Sequence, residues 1–256
     1  LRLLRTRAAS RYQQISGAFS FWHCRDRYDL IHAHSGQNGV RLLPLYAAGH
    51  LSAPLVVTFH GHDVHGYLRG QPADFYQPLF AQAAALVVCS GFMRQRLLQL
   101  GAPEDKLHVI PNGIAPERIP YRPRQWRGKS CLQLLTIGRL VPFKGIGHLL
   151  TALTLPAMQS LDFHLNVVGD GPLRTSLQAQ ATAAGLGGRV TFHGACPREQ
   201  VSALIDASDL YVAPVVVDAE GNTETQGVAL LEAMASGLPV IASAVGGIPE
   251  TLGDAA

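Results

Sequence analysis

Short apolar runs separated by longer mixed segments form the dominant pattern along this chain. Most of the runs are continuous rather than alternating, which is typical of parallel strands covered on both faces. The segments between them have helical character, so repeated β-α-β units with right-handed crossovers are expected. The pattern predicts an α/β protein with strands at residues 30–34, 55–60, 85–89, 107–110, 132–137, 164–168, 190–193, 210–213 and 240–243.

A proline-rich break divides this pattern into two parts. Residues 115–130 contain Pro116, Pro120 and Pro123, several charges and little apolar periodicity, which indicates an interdomain linker. We therefore predict two Rossmann-like parallel-sheet domains facing a cleft, at residues 1–114 and 131–256, each incomplete. Ligands of such sheets bind beyond the carboxyl ends of the strands, so the cleft is the predicted site.

Composition narrows the class of ligand. The 256 residues are 47% hydrophobic and 15% charged, as in a globular protein with a substantial core. The formal net charge of +3 suits an anionic ligand or membrane surface but is too small to indicate nucleic acid. No apolar run reaches the ~18 residues of a membrane-spanning helix. The isolated cysteines, which predict reduced core thiols in a cytoplasmic protein, are Cys24, Cys89, Cys131 and Cys196.

The two ends of the chain suggest a fragment. The sequence begins with Leu1, shows no signal peptide, and ends at Gly253-Asp254-Ala255-Ala256 without a stop-like tail. Residues 1–11 carry four arginines, which we interpret as a solvated helix face. Contact of this segment with a membrane surface is the alternative interpretation.

The segment 224–239, read E-T-Q-G-V-A-L-L-E-A-M-A-S-G-L-P, is the most informative part of the sequence. It places Glu224 and Glu232 eight residues apart, across a loop and the start of a helix. A fully helical span of that length would be ~12 Å, about the length of a sugar diphosphate with its ribose. The helix N-terminus between the carboxylates favours phosphate, so a nucleotide sugar is the predicted ligand.

Two strand-to-helix turns add candidate phosphate contacts. In the first, Gly138 allows a tight turn, and Arg139 and Lys144 place two cations at the end of a strand. A solvated loop with two ordinary basic residues is the alternative. The second turn, around Gly169, is interpreted mainly as a tight turn, with close backbone approach to a ligand as its functional use. Gly138 and Gly169 are both predicted to contribute to donor binding.

The motifs together resemble a known family. GRLVPFKG, VVGDGPLR, VTFHG, DLYVAP and the E-x7-E run with EAMASGLPVIAS resemble the retaining glycosyltransferases of family four, which have the GT-B fold. Upstream, DLIHAHSG, VVTFHGHD, VVCSGFMRQRL and VIPNGI are similar to the N-terminal domain of that family. The resemblance covers nearly the whole chain.

Residue by residue, the resemblance implies a donor site. Arg139 and Lys144 match the pair that holds the donor diphosphate and stabilises the leaving group, and Glu224 matches the carboxylate that contacts the sugar hydroxyls. Glu232 matches the ribose-binding carboxylate. His60 matches a histidine that faces the donor sugar.

The loop after Glu224 departs from the family pattern. Thr225, Gln226 and Gly227 match the loop whose amides approach the sugar and the β-phosphate, but the sequence reads T-Q-G where G-F-G is common. This departure bears on the preference for the donor sugar.

The run from His60 to His65 offers a different chemistry. His60, His62 and His65 lie within six residues and resemble part of a zinc-hydrolase motif, although Asp63 comes one place too early. The preferred interpretation gives only His60 a role. Since no D-x-D pair occurs in the sequence, the diphosphate is expected to be held by cationic side chains without a metal.

The predicted function is transfer of a sugar from a UDP- or GDP-linked donor to an acceptor hydroxyl, with retention and without metal or cofactor. The acceptor is expected to be a glycan or a lipid-linked glycan in polysaccharide or glycolipid assembly. The protein is expected in the cytoplasm, with contact at the inner membrane face left open. The alternatives are a zinc-dependent hydrolase using His60, His62 and His65, and a non-catalytic nucleotide-sugar-binding protein.

Overall fold

The computed structural model describes residues 28–124 and 131–253. The arginine-rich opening segment, Cys24 and residues 125–130 of the predicted linker lie outside these ranges. The chain divides into two compact units, one ending at Ile110 and the other beginning at Pro111.

The first unit contains a four-stranded parallel sheet in sequential order, β1-β2-β3-β4. Its strands are β1 (Ile31–His34), β2 (Leu55–Thr58), β3 (Ala85–Val88) and β4 (Leu107–Val109). Three helices connect them: α1 (Gly36–Ala47), α2 (Gln77–Gln82) and α3 (Gly91–Gln99). Short 3-10 turns occupy His62–Val64, Gly66–Leu68 and Glu104–Lys106.

Buried aromatic and aliphatic side chains hold this sheet to its helices. Phe59 and Phe80 are buried and pack around Tyr76, which Phe59 meets edge to face. Helix α3 begins where Ser90 Oγ accepts a hydrogen bond from the backbone N–H of Met93, at 3.3 Å. This cap satisfies one of the donors that the first turn leaves unpaired.

The second unit contains a five-stranded parallel sheet in the order β7-β6-β5-β8-β9. Its strands are β5 (Leu132–Ile137), β6 (Phe163–Val168), β7 (Val190–Gly194), β8 (Leu210–Ala213) and β9 (Val240–Ala242). Its helices are α4 (Ile146–Ala152), α5 (Arg174–Ala183), α6 (Arg198–Ala207), α7 (Val228–Ala235) and α8 (Ile248–Leu252). Short 3-10 turns occupy Pro116–Arg118, Pro142–Lys144 and Pro156–Met158.

The strand order reverses between β5, the central strand of this sheet, and its neighbour β8. Such a reversal opens a crevice at the carboxyl ends of the strands, where ligands of α/β sheets bind. Buried side chains cover the two faces of the sheet as separate clusters, one around Leu150 and Leu165 and the other around Leu135 and Leu230. The site described below lies at the carboxyl edge near this reversal.

All the predicted strands are present, with bounds that differ by no more than two residues. The segment after Pro111 packs against the second sheet: the Arg122 N–H donates to the Ser236 carbonyl at 3.0 Å, and the Arg124 guanidinium donates to the Asp206 carbonyl at 2.7 Å. This segment therefore belongs with the second unit. None of the described cysteines forms a disulfide; Cys89 is buried, while Cys131 and Cys196 are partly exposed.

Candidate functional site

Two glycine turns meet where β5 and β6 end. Gly169 has a positive φ of 126°, and a Cβ built on it would overlap the carbonyl oxygen of Gly138. Gly169 must therefore be glycine for two reasons, its backbone conformation and its contact with the neighbouring turn. The close contact of Gly169 is with Gly138, while its predicted approach to a ligand stays a prediction.

Lys144 lies on a short 3-10 turn that is fixed against the end of β8. The next residue, Gly145, is left-handed with φ 68°, and a Cβ there would overlap the Pro214 carbonyl. The Val216 N–H donates to the Phe143 carbonyl at 2.9 Å. The aliphatic stem of Lys144 crosses Gly138, since a Cβ at Gly138 would meet Lys144 Cε at 3.1 Å. Backbone contacts therefore fix where this cation lies.

Lys144 forms an ion pair with Glu224. The ammonium donates to Oε2 of the carboxylate, and the two side chains are only 20% and 16% exposed. A second oxygen of Glu224 accepts from the Thr225 N–H at 3.3 Å. Gly138, Lys144, Glu224 and Gly227 line one pocket at the carboxyl edge of the sheet. The structure thus brings together a cation, a carboxylate and a flexible turn that were predicted from separate motifs.

Tyr211 lies beneath this pocket and responds to both predicted carboxylates. Its ring is buried, and its hydroxyl donates to the Ile137 carbonyl at 3.4 Å. Burial raises the pKa of Tyr211 well above its usual value, and the negative charges of Glu224 and Glu232 raise it further. Tyr211 therefore stays neutral, and its position marks a region influenced by both acidic groups.

Glu232 lies on α7 and opens onto a neighbouring cavity. This cavity has a volume of about 180 Å³, and its lining includes Ile137, Arg198 and Glu232. Ile137 also lines the pocket of Lys144 and Glu224. The two predicted carboxylates therefore face adjacent spaces that share a wall.

The loop between the carboxylates is held from two sides that sequence reasoning missed. Gln226 is buried; its Oε1 accepts from the N–H and the side-chain amide of Asn112, at 2.8 and 2.9 Å, and its Nε2 donates to the Asn112 carbonyl at 2.9 Å. The Gln226 side chain is committed to these bonds, which leaves the loop backbone as its predicted route to a donor. Gly227 then begins α7 in the left-handed conformation, with φ 85°.

A glycine pair after β9 supports the same loop. The Gly247 N–H donates to the Glu224 carbonyl at 3.0 Å, and a Cβ on Gly246 or Gly247 would overlap the carbonyls of Glu224 and Thr225 respectively. The adjacent glycines after an apolar strand were the available sequence signal. The remaining predicted residue of this unit, Arg139, is exposed at the end of β5.

His60 belongs to the first unit, two residues beyond the end of β2. Its backbone N–H donates to the carboxylate of buried Asp63 at 3.0 Å. Since Asp63 caps backbone groups, it is not directed at a shared ion with the neighbouring histidines. His62 is exposed, and no three His, Cys, Asp or Glu side chains within residues 28–124 and 131–253 are grouped as metal ligands. The geometry gives the zinc-hydrolase alternative no support.

One further observation concerns membranes. Within the part of the chain that the structure describes, no helix combines the length and apolar character needed to span a bilayer.

Comparisons with known proteins identify the class. A family model described as glycosyl transferases group 1 matches residues 124–256, and one described as glycosyltransferase family 4 matches residues 3–118. The structure of Anabaena HepE in complex with UDP and glucose aligns with a TM-score of 0.72 and 24% identity, over 91% of this chain and 64% of that one. The predicted fold class, two Rossmann-like domains of the GT-B type, is confirmed. The chain belongs to the glycosyl transferases group 1 family.

Its curated relatives include enzymes of glycan assembly. The amylovoran biosynthesis glycosyltransferase AmsK of Erwinia amylovora is 31% identical over 88% of this chain and 55% of its own length. The GDP-mannose-dependent alpha-(1-6)-phosphatidylinositol monomannoside mannosyltransferase of Mycolicibacterium smegmatis is 30% identical over 78% of this chain and 54% of its own. The chain thus spans about half the length of these relatives.

Proposed function

We propose that the full-length protein is a glycosyltransferase that moves a sugar from a nucleoside-diphosphate donor to an acceptor hydroxyl. The observation that carries this proposal is the pocket in which Lys144 and Glu224 meet beside Gly138 and Gly227, at the carboxyl edge of a parallel sheet. Membership of the glycosyl transferases group 1 family supports it.

The pocket offers charges of both signs for the two halves of a donor. Lys144 and the exposed Arg139 are suited to the diphosphate, while Glu224 is suited to sugar hydroxyls. When a donor binds, the ion pair separates. The ammonium of Lys144 then binds phosphate, and the carboxylate of Glu224 binds sugar hydroxyl groups. In this exchange neither charged group is left without a partner.

Charge development drives the proposed chemistry. As the bond to the sugar breaks, negative charge grows on the β-phosphate, and fixed cations and backbone N–H groups stabilise it in the transition state. Loss of one such donor typically raises the barrier by about 2.7–4 kcal/mol. The N–H groups of Thr225, Gln226 and Gly227 and the start of α7 are the proposed backbone contributors. Gly169 belongs to the proposed site by keeping the turn at Gly138 in place.

Stereochemistry and metal use are parts of the proposal drawn from the family resemblance. Transfer proceeds with retention, on one face of the sugar, and the leaving phosphate accepts the proton of the acceptor hydroxyl. Cationic side chains replace a metal at the diphosphate, and no other cofactor takes part. Glu232 binds the ribose from the adjacent cavity, and His60 contacts the donor sugar.

The proposed acceptor is a glycan or a lipid-linked glycan. Relatives named for amylovoran biosynthesis and for a phosphatidylinositol mannoside support these two acceptor types. The donor base is uracil or guanine, as in the UDP complex of HepE and the GDP-mannose dependence of the mycobacterial relative. The proposed location is the cytoplasm, with peripheral contact at the inner face of the membrane.

Turnover separates this proposal from the non-catalytic alternative. The full-length protein is incubated with UDP-glucose, UDP-galactose or GDP-mannose in EDTA, with and without membrane lipid extract, and released nucleoside diphosphate is measured. We expect release from one donor, accelerated by the extract, and a loss of about 10²-fold in Glu224→Gln. Saturable donor binding without release would instead identify a binding protein.

A further inference from the structure

Two histidines of the first unit meet at the carboxyl ends of adjacent strands. His34 is the last residue of β1, and His60 follows the end of β2. In the parallel register His34 pairs with Thr58, whose carbonyl accepts from the Ser35 N–H at 2.7 Å. The two chains therefore leave the sheet side by side, which brings the imidazoles together.

The rings are joined edge to edge. Nδ1 of His34 lies 3.0 Å from Nε2 of His60, and the ring planes differ by only 12°. The ring centres are 5.2 Å apart, which exceeds the nitrogen separation by about one ring diameter. The rings are therefore nearly coplanar with the two nitrogens between them, the geometry of a hydrogen bond rather than of face-to-face stacking.

Backbone bonds fix both ends of this contact. The buried carboxylate of Asp63 accepts from the N–H groups of His60 at 3.0 Å, Gly61 at 2.9 Å and Gly36 at 2.9 Å. One side chain thus ties the loop after β1 to the loop after β2. The imidazoles meet because their backbones are held, not because two mobile side chains happened to approach.

The hydrogen bond constrains the protons of both rings. One of the facing nitrogens must carry a hydrogen and the other must not, so each neutral ring is restricted to the tautomer that the partner selects. Two imidazolium rings would place two N–H groups against each other. Hydrogens on both facing nitrogens are therefore incompatible with this bond.

Other titratable and charged side chains lie beside the pair of His34 and His60. His32 lies on the same strand with its ring centre 4.4 Å from that of His34, and its Nε2 is 2.7 Å from Thr58 Oγ1. Burial, and then the nearby rings of His34 and His60, lower the pKa of His32. The other charged groups that adjoin the pair are Asp63 through the backbone of His60, and Arg41 through Asn38, whose amide donates to the His34 carbonyl.

We propose that His34 is a positioning residue for His60: it holds the ring plane of His60 and couples the tautomer of His60 to its own. This inference rests on the proposed contact of His60 with the donor sugar. The nitrogen of His60 that does not face His34, Nδ1, is then the one directed to a ligand. Its role as donor or acceptor is set by His34.

Substitutions at position 34 separate positioning from simple packing. In His34→Asn the side-chain amide takes the place of Nδ1 and keeps a hydrogen-bonding group that does not titrate. In His34→Phe the ring remains but the hydrogen bond is lost. His62→Asn is the matched control, because it removes an exposed imidazole from the same loop.

The direct readout is the nitrogen chemistry of the rings. Long-range ¹H–¹⁵N spectra of the full-length protein, labelled at histidine, are recorded from about pH 5 to 8. We expect one of the two facing nitrogens to carry a hydrogen in the neutral pair of the wild type, and His34→Asn to keep a hydrogen bond to His60. In His34→Phe the tautomer populations of His60 should change. Hydrogens on both facing nitrogens or on neither, or an unchanged His60 spectrum in His34→Phe, would overturn the proposal.

The functional readout is donor hydrolysis as a function of pH. His34→Phe should lower kcat by about 10-fold to 100-fold and change the pH profile, since removing the partner that orients an imidazole has effects of that size. His34→Asn should restore most of kcat but not the wild-type pH profile. Identical profiles in all variants would count against positioning.

The two readouts distinguish the two proposals. If no donor is turned over by the wild type while the spectra show the hydrogen bond between the two rings, the proposed function fails and the pairing of His34 with His60 stands. If turnover is present and the pairing is absent, only the positioning inference fails.

Discussion

Replacing Gly247 by alanine tests whether the glycine turn after β9 holds the loop that carries Glu224. The N–H of Gly247 donates to the Glu224 carbonyl at 3.0 Å. The backbone of Gly247 has φ −87°, a conformation that alanine adopts readily. Any effect of the substitution must therefore come from the added methyl group, which would overlap the Thr225 carbonyl oxygen.

The size of the effect follows from this overlap. An ordinary contact of a Cβ atom begins at 3.4 Å, and the Gly247 methyl would fall far short of 3.0 Å. The loop or the turn must therefore retreat by about 1 Å or more, and overpacking of this kind costs about 1–3 kcal/mol. Because the methyl group would meet a backbone carbonyl and not the end of a flexible side chain, we expect a loss of about 2–3 kcal/mol in the free energy of unfolding. That corresponds to a fall in Tm of roughly 4–12 °C.

The same displacement should reach the chemistry. Glu224 precedes Thr225, so its carboxylate moves with the loop, and a misplacement of about 1 Å can cost about 10²-fold in rate. Thermal unfolding and donor turnover are measured for Gly247→Ala and for the control Gly188→Ala. Gly188 has no atom within 4 Å of a built Cβ and no positive φ, so its variant should stay within about 0.5 kcal/mol of the wild type. Equal melting and equal turnover of the two variants would refute this account of the loop.

Three further predictions concern stability. Lys144→Met should lower the free energy of unfolding by about 1–3 kcal/mol, because it leaves the mostly buried Glu224 carboxylate without its cation. Adding Glu224→Gln should recover most of that loss. If denaturant unfolding instead shows that the effects of the two substitutions simply add, the pairing is contradicted. Ser90→Ala should lower the free energy of unfolding by about 1 kcal/mol, because α3 loses its cap. In urea this appears as a lower midpoint with an unchanged m value. Burial, and then His164, lower the pKa of His193 in the folded state. The unfolded chain therefore binds protons more readily as the pH falls through about 6.5, and the protein should lose stability over that range. The loss should be smaller in His193→Asn, and an identical pH dependence of Tm in the two proteins would refute the assignment to His193.

The strands could be predicted from the sequence because their signal is local. A parallel strand covered on both faces is a continuous apolar run, and each of the nine runs is a strand in the structure. The errors fall at the strand ends, where polar residues such as His60 follow the apolar run but leave the sheet. Hydrophobic pattern alone does not mark that point.

The contacts of the site could be predicted only in part. The motifs predicted that Lys144 and Glu224 share one site, but not that they form an ion pair. They were assigned to different parts of a donor, Lys144 to the diphosphate and Glu224 to the sugar. The bond between Asn112 and Gln226 joins residues 114 positions apart and has no periodic signal. This bond also ties Asn112 to the second unit, which begins at Pro111, ahead of the proline-rich residues 115–130.

Nucleotide binding in the absence of metal tests the central claim most directly. Calorimetric titrations of UDP and GDP into the full-length protein in excess EDTA are compared for the wild type, the double variant Arg139→Ala/Lys144→Ala, and Arg118→Ala, which removes an exposed cation of the second unit. The account predicts saturable binding of one nucleotide, at least about 10-fold weaker in the double variant, since each charge-assisted contact contributes about 1.5–3 kcal/mol, and unchanged in Arg118→Ala. No binding to the wild type, or equal affinity in the double variant, would contradict it.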